Sequence, residues 1–390
     1  MTKTVAARLA FRFVLAIGVV NLFADMTYEG ARAIAGPFLG SLGASAAAVG
    51  FVAGFGEFLG YGFRSLSGYL ADKTHRYWAV VFAGYAVNML AVPALALAGN
   101  WPIAAVLIVM ERTGRALRRP AVETLVSQSG KEIGQGWVFG LNEALDQTGA
   151  TVGPLITALI LYLRGGYRHA FVVLLIPCLL CLGSLIFARL LHPKELNPDR
   201  KVVHFLEARG FSKTYWIYFA AGGLVAAGFA DFSLIAFHFQ KTAIVSQSSI
   251  PALYSVAMVS EAVASLVFGR LLDKYGRPVV LTAFSLPVLY APFVFLGGFG
   301  FALAGMLLWG IGMASQNSLL KALLAGIVPS DRRGTGFGLF DTGFGIAWFI
   351  GSAAMGLTYS LSIPGLVLLS VVLQLTALPF FAFAVNRTSG

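Results

Sequence analysis

The feature that most constrains this chain is a succession of apolar stretches, each about 20 residues or longer, along its 390 residues. They run over 11–38, 46–71, 77–98, 102–128, 136–162, 169–191, 214–240, 250–272, 278–297, 301–328, 334–358 and 363–385. Helices of that length cross the hydrocarbon of a bilayer, where each backbone amide must find its partner inside the protein. The expected fold is an all-α integral membrane protein with 12 transmembrane helices. Composition agrees: 12% of residues are charged, against about 25% in soluble domains, and 45 glycines suit close helix packing. Met1 to Arg12 is short and basic and leads into an apolar run too long for a cleaved leader, so none is expected. One polar stretch, carrying Arg200, Lys201, Glu207, Arg209 and Lys213, parts six spans from six. The expected division is an N-terminal six-helix bundle at 1–191, a linker at 192–213 and a C-terminal six-helix bundle at 214–390.

A net charge of +11 raises the question of nucleic acid, which the placement of the 28 Lys and Arg answers. Only Arg164, Arg168 and Lys241 fall in loops on one side, and Arg32, Arg64, Arg112, Arg115, Arg118, Arg119 and Lys321 lie within spans. The others, from Lys3 to Arg387, fall on the opposite side. That asymmetry places both termini in the cytoplasm of a cell membrane, by preference a bacterial inner membrane, and no nucleic acid is expected as partner. Cys178 and Cys181 are the only cysteines; their spacing resembles a redox pair, but they sit in a lipid-facing span where packing is their expected role.

The two halves repeat. Phe23-Ala24-Asp25 recurs as Phe229-Ala230-Asp231, Gly68 to Arg76 recurs as Gly269 to Arg277, and Phe139-Gly140-Leu141 recurs as Phe337-Gly338-Leu339. Each pair falls in corresponding spans, as a duplicated six-span unit requires. Acids also lie inside spans: Asp25, Glu29, Glu57, Glu111, Glu123, Glu143, Asp146, Asp231, Glu261 and Asp341. A charge at a helix centre costs about 2.5 to 3.5 kcal/mol on insertion scales, so these groups should face one another or a wet cavity. Spans 3, 6, 9 and 12 hold none of the charges, which predicts four peripheral helices around eight that enclose a polar interior.

With these residues in view, the chain resembles the major facilitator superfamily over its whole length. The family's loop after helix 2 reads Gly-x-x-x-Asp-Arg/Lys-x-Gly-Arg/Lys; the copy at Gly269 to Arg277, with Asp273, matches it fully. The first copy matches at Gly68, Asp72, Lys73 and Arg76 and has His75 at the glycine position. Gly149, Gly153 and Pro154 resemble the family's antiporter motif, with Ile156 and Thr157 where further glycines often stand. The resemblance implies two pseudo-symmetric six-helix bundles and a secondary active transporter. It also implies that Asp72 latches one conformation through a basic residue near the end of helix 4, either Arg118 or Arg119.

Asp25, Glu29 and Arg32 are spaced i, i+4, i+7 and share a stripe of the first span. Glu57 and Arg64 share a face of the second. The bland reading of all these charges is ion pairs that fix packing, although such pairs rarely add stability over apolar contacts. The functional reading is proton coupling: separating a buried carboxylate from a nearby arginine makes it take up a proton. Asp25 and Glu29 are the first candidates, followed by Glu57 and Asp146, with Arg112 or Arg115 as the tuning cation. Arg32, Gln316, Asn317 and Asp231 join those two arginines as candidates to hold substrate or tune charge. In the second half Ile235 and His238 replace Glu29 and Arg32, so coupling is expected in the N-terminal half.

The expected function is a proton-coupled transporter of a small organic solute, leaning to efflux by antiport. The alternative is a proton symporter importing an organic acid or similar anion. An intramembrane enzyme would need a nucleophile with its base, or a metal cluster, and the spans offer only His238. No nucleotide-binding loop is present, so no cofactor or metal is implied. The expected partners are a small-molecule substrate, protons and membrane lipid, with a monomer as the working unit.

Overall fold

The structure is a computed structural model and describes residues 3–74, 76–133, 135–192, 210–275, 278–328 and 333–387. Among the described residues it is helical throughout, with no strand. The N-terminal half contains α1 (Lys3–Ser41), α2 (Ala46–Thr74), α3 (Tyr77–Ala94), α4 (Trp101–Ile133), α5 (Gln135–Tyr162), α6 (Tyr167–Val173) and α7 (Leu175–Leu191). The C-terminal half contains α8 (Lys213–Gly228), α9 (Phe232–Thr242), α10 (Ser249–Tyr275), α11 (Val279–Ser285), α12 (Tyr290–Leu296), α13 (Phe299–Ala314), α14 (Leu320–Ala325), α15 (Arg333–Leu361) and α16 (Ile363–Arg387).

Eleven helical segments among the described residues are long and apolar enough to cross a membrane, against the twelve expected. The remaining long helix is α4, where Glu111, Arg112, Arg115, Arg118, Arg119 and Glu123 crowd 33 residues. It falls short on charge, not on length. Four spans expected as single helices are interrupted: α6 gives way to α7 at Leu174, α8 stops before α9, a 3-10 turn joins α11 to α12, and α13 passes to α14 through a π-helical turn at Ser315–Leu319. Most of the 192–213 linker, residues 193–209, lies outside the described residues.

Two compact units result, one of Met1–Ile34 with Gly62–Val203 and the other of Ala35–Tyr61 with His204–Gly390. The division between the units passes through α1 after Ile34 and through α2 after Tyr61. The cause is close backbone packing by their glycines. A Cβ at Gly36 would collide with the Ser233 carbonyl oxygen, and one at Gly50 would lie 3.0 Å from the Gly356 Cα. Small residues let α1 approach α9 and α2 approach α15 at backbone distance.

Within the first unit α3 packs along α4 and α7. Cys178 and Cys181 are free thiols packed in the interior, as expected, the Cys178 Sγ lying 3.4 Å from the Met89 carbonyl oxygen of α3. Within the second unit α8 packs on α16 and α15, and α10 on α13.

Candidate functional site

In the first unit α1 runs unbroken past Asp25, Glu29 and Arg32, and all three are buried. Their i, i+4, i+7 spacing turns them to one side, toward α4. Glu29 Oε1 stands 3.6 Å from Arg115 Nη1 and 3.9 Å from Arg32 Nη1. Tyr28 donates its hydroxyl to Asp25 and lies under the Arg115 guanidinium, 4.8 Å from its ring centroid. Arg118 sits 4.2 Å over the Tyr85 ring and 5.8 Å from that of Tyr28. Such cation–π contacts hold a guanidinium without neutralising it. Asp146, on α5, lies near enough to add its field to Asp25.

Of the two arginines expected to tune the α1 acids, Arg115 reaches Glu29; Arg112 Nε lies 3.4 Å from Glu111 Oε2 of its own helix. Glu111 also accepts from Asn88 Nδ2 at 2.9 Å, and Asn88 Oδ1 accepts from Arg118 Nε at 3.3 Å. The α3 hydroxyl of Tyr85 donates to Asn21 Oδ1 of α1 at 2.7 Å. Tyr28, Tyr85 and Asn88 thus organise the cluster, and a search confined to charged residues misses them. One signal was available: Asn88 is the only asparagine in an otherwise apolar third span, and a buried amide there needs partners.

The antiporter-like residues meet the same cluster. A Cβ at Gly149 would collide with the Leu22 carbonyl oxygen and lie 2.9 Å from the Asp25 Cβ. One at Gly153 would strike the Met26 carbonyl oxygen. Glycine at both positions seats α5 against α1 directly behind Asp25, one turn before Pro154. Glu57 is also buried but belongs to the second unit.

For the latch, the side chains of Asp72 and Asp273 lie outside the described residues, while Lys73 and Arg76 are exposed. Gly68 faces Pro120 of α4. Arg118 is committed to Asn88 and the two tyrosines, and Arg119 Nε pairs with Glu123 Oε1 at 3.1 Å on an exposed face.

In the second unit Asp231 does not mirror Asp25. The helix stops at Gly228, and Asp231 begins α9 as its N-cap, its carboxylate accepting from the Ser233 N–H at 2.8 Å. Neighbouring side chains satisfy the broken backbone. Trp309 Nε1 donates to the Ala230 carbonyl at 3.0 Å, Ala230 N–H donates to the Tyr290 hydroxyl at 2.6 Å, and the Gly228 carbonyl accepts from Ser370 Oγ and Gln374 Nε2. Gln316 and Asn317 lie in the π-helical turn, where Asn317 Nδ2 donates to Glu261 Oε1 at 2.8 Å and Gln316 Nε2 to the Gly312 carbonyl at 3.1 Å. His238 is buried, 3.0 Å from the Tyr359 hydroxyl.

Helices that cross a membrane, a repeat and a buried ionic interior together have the make-up of a carrier. The sequence profile of the Major Facilitator Superfamily matches residues 17–352 and 232–389. An uncharacterized protein of Mycobacterium tuberculosis is 37% identical over 387 residues, covering 97% of this chain and 95% of that one. An uncharacterized MFS-type transporter of Methanocaldococcus jannaschii is 26% identical over 358 residues, covering 89% and 88%. Among solved structures, the nucleoside transporter NupG superposes with a TM-score of 0.75 at 14% identity, covering 95% of this chain and 99% of that one. A POT family transporter in complex with a thioalcohol-conjugated peptide reaches 0.79 at 11% identity, covering 97% and 96%. The chain belongs to the Major Facilitator Superfamily. It is a multi-pass membrane transporter of a small molecule and not an enzyme.

Proposed function

We propose that this transporter is proton-coupled, moves a small organic solute by alternating access and exports it by antiport, with both termini in the cytoplasm. The observation that carries the reading is the buried array of Asp25, Tyr28, Glu29, Arg115 and Arg118 across α1 and α4. Any shift of α4 relative to α1 changes the separation of Glu29 from Arg115 and so the affinity of the acid for a proton. Because α5 is seated on α1 through Gly149 and Gly153, these two helices move together. The nucleoside and peptide transporters of like fold support an organic solute. Import of an organic anion by symport is the second reading, favoured by Arg112, Arg115 and Arg118 buried on one helix.

Purified protein in proteoliposomes tests the coupling. Asp25→Asn and Glu29→Gln should abolish uphill, pH-driven transport yet spare exchange between equal substrate pools, which needs rocking but no net proton movement. Wild-type pH dependence in both variants would sink the proposal. Joint loss of folding and exchange would instead mark a structural ion pair, since removing one partner strands a buried charge.

A further inference from the structure

The ionic cluster of the first unit leaves the aromatic interior of the second without a role. At the break between α8 and α9 the Phe229 ring lies 5.6 Å from Trp309 and 6.0 Å from Trp348, centroid to centroid. The series continues from Trp348 to Phe344 at 5.8 Å and from Phe344 to Tyr61 of α2 at 5.3 Å. Among the described residues, the Trp348 indole Nε1 and the Gln316 carboxamide Oε1 inside this region have no hydrogen-bond partner. Their residues are only 2% and 4% exposed, so bulk water does not serve them. The amide orientation is fixed, because Gln316 Nε2 donates to the Gly312 carbonyl and a flip would oppose two acceptors. Phe229 connects the two. Its ring edge lies where a Cβ on Gly312 would be, at 2.6 Å, one turn before Gln316, and its other neighbour is Trp348. Buried polar groups are nearly always satisfied, and an orphan donor and an orphan acceptor beside one phenyl ring call for a ligand that supplies the complement of each.

We propose that the second unit holds a substrate subsite for a planar amide or amide-like heterocycle, stacked among Phe229 and Phe344, whose carbonyl accepts from Trp348 Nε1 and whose N–H donates to Gln316 Oε1. The inference deepens the transporter reading by naming a substrate class. It does not depend on proton coupling, because its readout is binding.

The test uses the full chain in lipid nanodiscs with benzamide as probe and α-methylstyrene, which replaces the amide oxygen and nitrogen by carbon, as control. Benzamide should raise the melting temperature in a saturable way and α-methylstyrene should not. Trp348→Phe and Gln316→Met should each weaken benzamide binding by about tenfold, the size of one lost hydrogen bond. If Trp348→Phe fails to fold, Gln316→Met carries the test alone, since it conserves volume. Three results would overturn the subsite: no shift with benzamide, equal shifts with both probes, or wild-type benzamide affinity in the folded variants. The last two would mean, respectively, an apolar patch and orphan atoms that water alone fills. Failure of the Asp25 and Glu29 exchange experiment would leave this result untouched, so the two readings fail separately.

Discussion

In the first unit α1 runs unbroken through Asp25, whereas in the second the equivalent helix stops at Gly228 and restarts behind Asp231. The backbone plan is otherwise shared. Gly149 and Gly153 bring α5 onto α1 at Leu22 and Met26, and Gly351 brings α15 onto α8 at the Ala227 carbonyl. What has diverged is how polar groups are satisfied. The first unit uses charges: Glu29, Arg32 and Arg115 lie within ion-pair distance, and Arg118 rests on tyrosine rings. At its helix break the second uses hydrogen bonds between the backbone and the neutral side chains of Tyr290, Trp309, Ser370 and Gln374. Neutral bonds fix one arrangement, while ion pairs in low dielectric respond strongly to small changes in separation. The two proposals above accordingly place movable charge in one half and fixed recognition in the other.

The largest effect should come from the feature the halves share. Gly153→Leu forces a side chain into the Met26 backbone and cannot be absorbed by a rotamer change, so the cost should reach the top of the overpacking range, about 3 kcal/mol. The expected outcome is loss of a monodisperse peak in size-exclusion chromatography, and the same for Gly351→Leu. A well-folded Gly153→Leu protein would show that α5 is not seated on α1 in this way.

Next is the amide that supports the charged half. Asn88→Leu removes a donor to Glu111 and an acceptor from Arg118 while preserving volume. Leaving two buried polar groups short of a partner costs about 1 to 3 kcal/mol. Thermal melting should detect it, and a change below the error of that measurement would mean that the two ends of the network are held independently.

The aspartates give the most direct contrast. Asp231→Ala should cost about 1 kcal/mol through the lost N-cap, a part that Asp231→Asn should retain, because asparagine caps a helix as well as aspartate does. Asp25→Asn, by comparison, should eliminate pH-driven transport. Equal transport defects in Asp25→Asn and Asp231→Asn would break the division between the halves.

Much of this was legible in the sequence, for identifiable reasons. Long apolar runs, the Phe-Ala-Asp repeat and the Gly-x-x-x-Gly-Pro stretch are local patterns, and each corresponds to a span, a duplicated plan or a backbone contact. The stripe of Asp25, Glu29 and Arg32 follows from helical period alone. The 3.6 Å approach of Arg115 to Glu29 did not, since it depends on how α4 is rotated against α1. The break at Gly228 was also hidden: Phe229-Ala230-Asp231 is the same tripeptide as in the unbroken helix, and the partners that make a break tolerable come from α12, α13 and α16, far along the chain. Residue identity was available in the sequence, while side-chain pairing across helices was not.

The smallest expected effect isolates exposure as the variable. Arg119 and Glu123 form an i, i+4 pair at 3.1 Å, but their side chains are 44% and 58% exposed. Glu29 and Arg115, at 3.6 Å, are 9% and 10% exposed. Exposed helical pairs contribute about 0.3 to 0.5 kcal/mol and fade with salt, whereas breaking a buried pair costs about 3 to 5 kcal/mol because one charge is stranded. A double-mutant cycle on Arg119→Ala and Glu123→Ala, followed by thermal melting, should therefore give a coupling near the lower range that shrinks when salt is raised. Arg115→Ala alone should exceed it several-fold and hardly respond to salt. Were the Arg119–Glu123 coupling above about 1 kcal/mol and insensitive to salt, the pair would have to be shielded from water in the working protein. Arg119 would then stand beside Arg115 in the functional half instead of on its surface.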